Sequence, residues 1–361
     1  MRSREGLTID VVARALRKSV LNPLLIIPLW AALSWRPTIV ALIPETTNGS
    51  VKFHVVAAVF TLLGIILETN DYLTTQFHNN WSRPSRWNWD REIVLITGGS
   101  SGIGQSLCQL LLQRNPKIRL VIADVVPLSW KPPERSRVHF YQCDLSDTTE
   151  IKALCNKIRQ EVGHPSVVVN NAGLCRGFTV CDGTYADVEL TIRTNLLAPF
   201  LLVKEFLPNM VENNHGHVIS ISSMSAFIPP AGVADYAATK AGLIALHEAL
   251  QLELRNANNA LRVRLSLAVL SFVKTPLFKG ETRQSNFWTP VMDVDTVGEQ
   301  LVDTLYSGYG RTIFLPGIMR YIACLKGGPE WLWAVVRGTT KGLAVDFKGR
   351  QKIDARTGKL Q

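Results

Sequence analysis

The stretch IVLITGGSSGIG at residues 93–104 joins a short apolar run to a glycine-rich turn. Its first five residues carry no charge and are mostly β-branched, as is typical of a strand buried on both faces of a parallel sheet. Similar runs recur downstream as RLVIAD, SVVVNNAG, GHVISISS and LRVRLSLAVL, and helical segments separate them. Strands that alternate with helices of this length predict an α/β fold with a doubly wound, mostly parallel sheet.

Three glycines, Gly98, Gly102 and Gly104, lie where the first strand of this Rossmann-type pattern meets its first helix. Glycine lets the turn close tightly and lets backbone N–H groups approach a pyrophosphate at the helix N-terminus. Asp124 ends the next strand, where a carboxylate can accept hydrogen bonds from both ribose hydroxyls and would repel a 2′-phosphate. The pattern therefore predicts NAD as the cofactor and makes NADP less favoured; a turn or N-cap role is the alternative for Asp124.

The ends of the third and fourth strands supply further candidates for the dinucleotide site. Asp144 follows the third strand, where it either contacts the adenine amine or begins a helix. The fourth strand ends in Asn170-Asn171-Ala172-Gly173, whose small residues leave room for a cofactor while the asparagines can tie neighbouring backbones together. We therefore assign Asn170 and Ala172 to the cofactor site.

Ser223, Tyr236 and Lys240 form the candidate catalytic group. Tyr236 and Lys240 are four residues apart, so a helix places both side chains on one face. A free tyrosine titrates near pH ~10, and we expect the Lys240 ammonium to lower the pKa of Tyr236 toward the working range. Ser223 ends a strand, where it can hydrogen-bond a substrate oxygen as charge develops there. Behind a dinucleotide turn, this set predicts hydride transfer coupled to proton exchange.

The order and spacing of these motifs resemble the short-chain dehydrogenase/reductase family over residues 92 to about 317. The resemblance rests on TGGSSGIG, Asp124, NNAG, Asn195, Ser223 and YAATK. Together with the residues above, it predicts a dinucleotide held by Gly98, Ser100, Ser101, Gly102, Ile103, Gly104, Asp124, Asp144, Asn170, Ala172, Tyr236, Lys240, Val273 and Thr275. The apolar N-terminus and hydrophobic C-terminal extension resemble the membrane-bound retinol and hydroxysteroid dehydrogenase branch of that family.

The resemblance also implies a role for each catalytic residue. Tyr236 is the implied acid/base, and Lys240 binds the nicotinamide ribose and tunes Tyr236. Ser223 positions the substrate oxygen, with Ser222 as the alternative if the register slips by one residue. Asn195 holds a proton-relay water.

One departure from the family pattern follows the sixth strand, where Leu270-Ser271 replaces the usual Pro-Gly. Val273 and Thr275 still match positions that contact the nicotinamide carboxamide, so the change affects the local turn but removes no catalytic group. Farther on, three aromatic residues form either an apolar lid over a lipophilic substrate or an ordinary surface loop: Phe278, Phe287 and Trp288.

The first 90 residues are predicted to be a membrane-associated helical segment. Residues 20–44 contain one charged side chain, Arg36, but several prolines, and they span a bilayer only if those prolines are tolerated. Residues 55–67 are uncharged, but as a helix they reach only about 20 Å, short of the roughly 30 Å hydrocarbon core. A full span and a monotopic hairpin both remain open, and packing on the folded domain is the alternative.

Basic side chains exceed acidic ones by 10, and the whole excess lies in the two flanks, since residues 92–315 are neutral. A protein that binds nucleic acid carries its basic patch on the folded recognition surface, so we expect no nucleic-acid partner. Basic flanks beside apolar segments fit an anionic membrane surface or lipid droplet. The six cysteines form no CxxC pair or metal-ligand spacing, so we expect reduced thiols and no metal.

The sequence thus predicts three parts: a membrane-associated segment (1–90), an NAD-binding catalytic domain (91–317) and a basic amphipathic extension (318–361) that either lies on a surface or closes a substrate pocket. We expect a homodimeric NAD-dependent oxidoreductase for a lipophilic alcohol or ketone, such as a retinoid, steroid or long-chain lipid. Its catalytic domain would face the cytosol at the endoplasmic reticulum or a lipid droplet. Two alternatives remain, a membrane-bound NAD-liganded scaffold or lipid-binding protein without catalysis and an NADPH-dependent keto-lipid reductase.

Overall fold

The computed structural model describes residues 3–35, 49–84, 86–277 and 284–342 of the 361-residue chain. The chain divides into two units, Met1–Phe77 and His78–Gln361. The second unit contains the whole sheet, and the described residues of the C-terminal extension belong to the same unit.

The described residues of the N-terminal unit form the helices α1 (Ile9–Lys18), α2 (Pro23–Trp35) and α3 (Gly49–His78). Within α3, His54–His78 is long and apolar enough to cross a membrane. Its 25 residues extend about 37 Å, more than the roughly 30 Å hydrocarbon core. The expectation of a 20 Å segment is wrong, because the polar residues after position 67 contain no helix breaker and continue the helix. Residues 36–44 of the first apolar segment lie outside the described residues.

Contacts within this unit show that α2 runs antiparallel to α3. Trp30 Nε1 donates a hydrogen bond to His54 Nδ1 at 2.8 Å. Farther along α3, Gly64 lies so close to the residues that precede α2 that a Cβ on it would be 2.4 Å from the carbonyl oxygen of Leu21. Large apolar side chains of α3 remain exposed, among them Val55, Leu62 and Ile66.

Seven strands form the sheet: β1 (Ile93–Thr97), β2 (Arg119–Asp124), β3 (Arg137–Gln142), β4 (Val167–Asn170), β5 (Gly216–Ser223), β6 (Val263–Leu270) and β7 (Thr312–Leu315). Their order across the sheet is β3-β2-β1-β4-β5-β6-β7, and every neighbouring pair is parallel. The predicted doubly wound fold is confirmed. The strand order reverses between β1 and β4, which opens a ligand crevice at the carboxyl ends of these strands.

Helices cover both faces of this sheet: α4 (Gly102–Arg114), α5 (Thr148–Glu161), α6 (Tyr185–Ile192), α7 (Ala198–Glu212), α8 (Ala234–Leu252), α9 (Val294–Ser307), α10 (Met319–Cys324) and α11 (Glu330–Gly338). Successive strand residues point to opposite faces. Leu95 of β1 therefore packs with α5, α7 and α8, whereas Val94 and Ile96 pack with α4 and α9. Because both faces are buried, β1 is apolar from Ile93 to Ile96, and its last residue, Thr97, is buried as well.

Asn79 and Arg264 fix the beginning of the second unit to the sheet. The Asn79 side chain accepts a hydrogen bond from Gly310 N at 2.7 Å and donates one to Gly310 O at 3.1 Å. Arg264, which is 1% exposed, donates to the carbonyl oxygens of Asn79, Arg83 and Gly308 at 3.1, 2.7 and 3.1 Å. Burial lowers the pKa of Arg264 to about 10, so the guanidinium remains charged at neutral pH.

We predict that Arg264→Met lowers the free energy of unfolding by about 2–4 kcal/mol, because the buried carbonyl groups lose their donors. Arg255→Met, at an exposed position before β6, is the matched control and should change stability by less than about 0.5 kcal/mol. Thermal unfolding of the full chain in detergent measures both. Equal melting temperatures for the two variants would contradict the role of Arg264 in fixing the beginning of the second unit to the sheet.

Candidate active site

The glycine turn between β1 and α4 leaves no room for a side chain at Gly98 or Gly104. A Cβ on Gly104 would lie 2.2 Å from the carbonyl oxygen of Gly98, and one on Gly98 would lie 2.9 Å from the Cα of Ala172. Gly98 and Gly102 both have a positive φ, +68° and +57°, which favours glycine, but at Gly102 the nearest neighbour, Thr275 Cγ2, is 3.4 Å from the site of a Cβ. The turn is therefore tight on the β4 side and adjoins Thr275, a residue predicted to contact nicotinamide.

Asp124 lies at the end of β2 and is 9% exposed. Its Oδ2 accepts a hydrogen bond from Ser100 N at 2.9 Å, and its Oδ1 accepts one from Val126 N at 3.2 Å. Each carboxylate oxygen retains acceptor capacity for a ligand hydroxyl. The side chain thus holds the glycine turn in addition to its predicted role toward the ribose. Ser101 is the N-cap residue of α4.

The two asparagines after β4 behave differently. Asn171 Nδ2 donates to the carbonyl oxygens of Thr97 and Gly98 at 2.9 and 3.1 Å, which makes the expected tie between neighbouring backbones. Asn170 is 2% exposed, and neither polar atom of its amide has a hydrogen-bond partner within the described part of the chain. Buried amides normally have hydrogen-bond partners, so the amide of Asn170 is a candidate to hydrogen-bond a bound ligand.

Asp144 does not begin a helix, so that alternative is wrong. The N-cap of α5 is Asp147, whereas Asp144 Oδ1 accepts hydrogen bonds from Ser146 N and Oγ at 2.9 and 2.7 Å. This local turn places Asp144 directly after β3. Its predicted contact with adenine stays a prediction.

Ser223 ends β5 and caps the short helical turn Met224–Ala226. Its Oγ accepts a hydrogen bond from Ser225 N at 3.2 Å, which leaves its O–H as a donor. The neighbouring Ser222 is 2% exposed, and its Oγ donates to the carbonyl oxygen of Lys240 at 2.9 Å. Ser223 is therefore the better catalytic candidate, and Ser222 connects β5 to α8.

Tyr236 and Lys240 lie one turn apart near the start of α8. The Lys240 ammonium is 5.4 Å from the centre of the Tyr236 ring and donates a hydrogen bond to the carbonyl oxygen of Ile221 at 2.9 Å. A Cβ on Gly173 would lie 3.4 Å from Lys240 Nζ, so the loop after β4 also borders this ammonium. The predicted proximity of the phenol and the ammonium is thus found.

The predicted electrostatic effect on Tyr236 is wrong for this structure. Burial raises the pKa of Tyr236, the nearby Cys175 raises it further, and the hydrogen bond with Ser223 only partly offsets these effects. Burial lowers the pKa of Lys240 to about 8. Burial is the largest effect on both groups and favours the uncharged form of each, so Tyr236 is a neutral phenol at neutral pH.

Asn195 occupies a π-helical turn, Arg193–Leu197, between α6 and α7. Its Oδ1 accepts from Leu174 N and its Nδ2 donates to Leu174 O, both at 2.8 Å. A Cβ on Gly173 would lie 3.3 Å from the same Oδ1, so Asn195 borders the loop that also touches Lys240. Single π-turns of this kind are frequent at functional sites. The structure gives Asn195 a role in holding this loop, and its water-relay role stays a prediction.

A cavity of about 660 Å³ brings the catalytic candidates together with the glycine turn and an apolar wall. Ser223, Tyr236 and Lys240 line this cavity. Ile103 of the glycine turn and the predicted nicotinamide contacts Val273 and Thr275 line it as well. Residues of the C-terminal extension complete it: Met319, Ile322, Leu325, Val336, Thr339 and Thr340. The extension therefore lines the pocket, as one of the two interpretations of the sequence expects.

Other parts of the cavity wall could not be assigned from the sequence. Cys175 and the backbone carbonyl of Ile221 belong to the site, but neither carries a motif that would reveal it. In the predicted lid, Leu277, Gln284, Ser285 and Thr289 line the cavity. Phe287 stacks edge-on with Trp288, which is 53% exposed, and neither ring is part of the lining. The interpretation of Phe287 and Trp288 as an apolar lid is therefore wrong. Phe278 lies outside the described residues.

The altered turn after β6 is well ordered by the sheet. Leu270 pairs with Leu315, and Ser271 N donates to Leu315 O at 2.8 Å. Val273 then forms an isolated bridge with Met292, which holds the segment leading to Thr275. The chain after Leu270-Ser271 is therefore held to its neighbours through Leu315 and Met292. In the described ranges, no cluster of three or more His, Cys, Asp or Glu side chains could hold a metal ion.

Comparison with known proteins gives consistent results. The family model described as short chain dehydrogenase matches residues 92–286. The uncharacterized oxidoreductase TDA5 of Saccharomyces cerevisiae is 31% identical over 308 residues, which cover 84% of this chain and 92% of the yeast protein. Epidermal retinol dehydrogenase 2 of Mus musculus is 31% identical over 252 residues, or 68% of this chain and 80% of the mouse protein.

Solved structures show the same fold. A short-chain dehydrogenase from Sphingobium yanoikuyae in complex with NADPH has a TM-score of 0.53 at 22% identity, covering 73% of this chain and 99% of its own. A 4-hydroxyisoleucine dehydrogenase complexed with NADH has a TM-score of 0.54 at 20% identity, covering 62% and 97%. Because the family model spans more than half of the chain and the yeast relative most of it, the protein belongs to the short-chain dehydrogenase family and is an alcohol-type oxidoreductase.

Proposed function

We propose that the protein interconverts a lipophilic alcohol and the matching carbonyl compound, with NAD as its preferred cofactor. The observation that carries this proposal is the cavity in which Ser223 and Tyr236 share walls with apolar side chains of α10 and α11. A volume of about 660 Å³ suits a ligand of tens of atoms. Similarity to a mouse retinol dehydrogenase, named for a lipophilic alcohol, supports the same substrate class.

The residues around the glycine turn fit a dinucleotide. Gly102 leaves space at the N-terminus of α4, whose first N–H groups have no helical partner and attract a pyrophosphate. Asp124 offers acceptors for ribose hydroxyls, and the buried amide of Asn170 has unused hydrogen-bonding capacity toward this edge of the sheet. When bound, the nicotinamide supplies the hydride acceptor or donor. Lys240 and Thr275 are the residues we assign to its end of the cofactor.

The protein's own groups handle the proton. The Ser223 oxygen accepts from Ser225 N and its hydroxyl is hydrogen-bonded with Tyr236, so a substrate oxygen bound between the two hydroxyls would receive the Ser223 O–H in place of Tyr236. Tyr236 carries a proton at neutral pH and can pass it to a carbonyl oxygen as the carbonyl is reduced. In the opposite direction, Tyr236 must first lose that proton and then takes the proton of the alcohol. The positive charge of Lys240 favours this ionised form.

We predict that Tyr236→Phe reduces turnover at least about 100-fold in both directions while NADH binding stays within about twofold of the wild type, because only the exchangeable proton is lost. Tyr185→Phe, which alters a 92% exposed tyrosine, is the control. Steady-state rates and NADH fluorescence titration measure the two quantities. Undiminished turnover in Tyr236→Phe would refute the assignment.

The rate of alcohol oxidation by the wild type should rise with pH. Alcohol oxidation needs the ionised form of Tyr236, and burial raises the pKa of that phenol, so oxidation should accelerate from pH 6 to 9 while carbonyl reduction does not. The rise should flatten above about pH 8, where Lys240 loses its charge. An oxidation rate that does not change with pH would contradict this assignment of the base.

Asp124→Asn tests the cofactor preference. The asparagine oxygen can still accept the hydrogen bond from Ser100 N, but the charge that would repel a 2′-phosphate is removed. We predict that the ratio of kcat/KM for NADP to that for NAD rises at least about tenfold. If the protein is instead an NADPH-dependent keto-lipid reductase, the wild type should already prefer NADP and the ratio should stay unchanged.

We also propose that the N-terminal unit anchors the protein in a membrane or at the surface of a lipid droplet, with the catalytic unit in the cytosol. Support comes from the length of α3 and from the exposed apolar side chains along it, since contiguous exposed apolar surface normally meets lipid or a partner. The amphipathic α1 adds Arg14, Arg17 and Lys18 near the start of the apolar segments, as suits an anionic surface.

Charges placed on the apolar surface of α3 test this anchor. We predict that Leu62→Glu combined with Ile66→Glu moves most of the protein from the carbonate-resistant membrane fraction to the soluble fraction, because each charge costs about 2.5–3.5 kcal/mol in hydrocarbon. Thr74→Glu, at an exposed polar position of the same helix, is the matched control and should stay with the membrane. Equal fractionation of all three proteins would contradict the anchor.

A further inference from the structure

The segment that follows β2 is joined to the glycine turn by hydrogen bonds that the catalytic residues do not use. Trp130 Nε1 donates to the carbonyl oxygen of Gly99 at 3.0 Å. Ser129 donates to the carbonyl oxygen of Ser100 through its backbone N–H at 3.4 Å and also through its hydroxyl. In the reverse direction, Ser100 Oγ donates to the carbonyl oxygen of Val126 at 2.9 Å.

The glycine turn is held both by packing and by these hydrogen bonds. On the side of β2, a Cβ on Gly99 would lie 2.6 Å from Ile122 Cγ2, so Gly99 is pressed against the strand. The ring of Trp130 packs against the same hydrophobic core that contains Ile122, and its N–H binds the Gly99 carbonyl. Neither peptide on the two sides of Ser100 can rotate without breaking a hydrogen bond to Trp130, Ser129 or Asp124.

This arrangement has an electrostatic consequence for a phosphate-binding turn. Carbonyl oxygens carry partial negative charge and repel a phosphate, whereas N–H groups attract it. The carbonyl oxygens of Gly99 and Ser100 are directed to the loop after β2, and the N–H groups at the start of α4 are left for an anion. A loop fixed in its binding conformation also loses less conformational entropy when the ligand binds.

We infer that Ser129 and Trp130 are positioning residues for the dinucleotide, which hold the glycine turn and Asp124 in the binding conformation before the cofactor arrives. They act through Gly99 and Ser100 and do not touch the reacting atoms. The inference rests on the proposed function in that the ligand is a nicotinamide dinucleotide. It predicts a change in cofactor affinity without a change in the chemical step.

The test uses Trp130→Phe, which keeps an aromatic ring but lacks the N–H, and Ser129→Ala, which lacks the hydroxyl. With the full chain in detergent, NADH fluorescence titration should give a Kd roughly three- to tenfold above the wild-type value for each variant. The kcat at saturating NAD should stay within about twofold. Ser129→Thr should restore the wild-type Kd, and Trp331→Phe, at a 70% exposed tryptophan, should leave it unchanged.

A purely structural role would lower the melting temperature of the free protein and leave the NADH-induced rise in melting temperature unchanged. The inference predicts a smaller NADH-induced rise in both variants. It is overturned if both variants bind NADH with the wild-type Kd, a result that leaves the proposed function standing. If the wild type itself binds neither NADH nor NADPH, the proposed function fails and the inference fails with it.

Discussion

The burial of Lys240 is the constraint on which the geometry of the active site depends. A buried ammonium must be paired, and this one is satisfied by the carbonyl oxygen of Ile221 in β5. The backbone of Lys240 is bound to the same strand by Ser222 Oγ. These two hydrogen bonds fix the start of α8 against the end of β5. Tyr236, one helical turn earlier, is thereby held beside Ser223.

The same burial determines the protonation of the pair. Removing the phenol and the ammonium from water favours the neutral form of each, so the pKa of Tyr236 is raised and that of Lys240 falls to about 8. A lysine four residues from a tyrosine does not by itself make the phenol acidic, because desolvation acts on both groups. The resting enzyme accordingly has a proton ready for a carbonyl oxygen, and alcohol oxidation depends on conditions that remove it.

The parts of this architecture that follow from local sequence could be predicted, and those that depend on tertiary packing could not. IVLITGGSSGIG defines a buried strand, a turn and a helix, and parallel strands bring their carboxyl ends to one edge, so the strand-end residues Asp124 and Ser223 are expected to lie there. The burial of Lys240 and the cavity wall from Met319 depend on neighbours distant in sequence. The aromatic lid failed for a similar reason, because the alternation of polar and aromatic residues in that loop does not specify which side chains face inward.

The second unit thus contains an apolar cavity, a proton-transfer group and a glycine turn suited to a dinucleotide. The measurement that tests this most directly follows the hydride itself. Purified protein in detergent is incubated with NAD and a long-chain secondary alcohol carrying deuterium on the hydroxyl-bearing carbon, and the reduced cofactor is analysed by mass spectrometry. The account predicts one deuterium in each molecule of reduced cofactor, formed in step with the ketone. Reduced cofactor without deuterium, or no reduced cofactor across a panel of lipophilic alcohols, would contradict it.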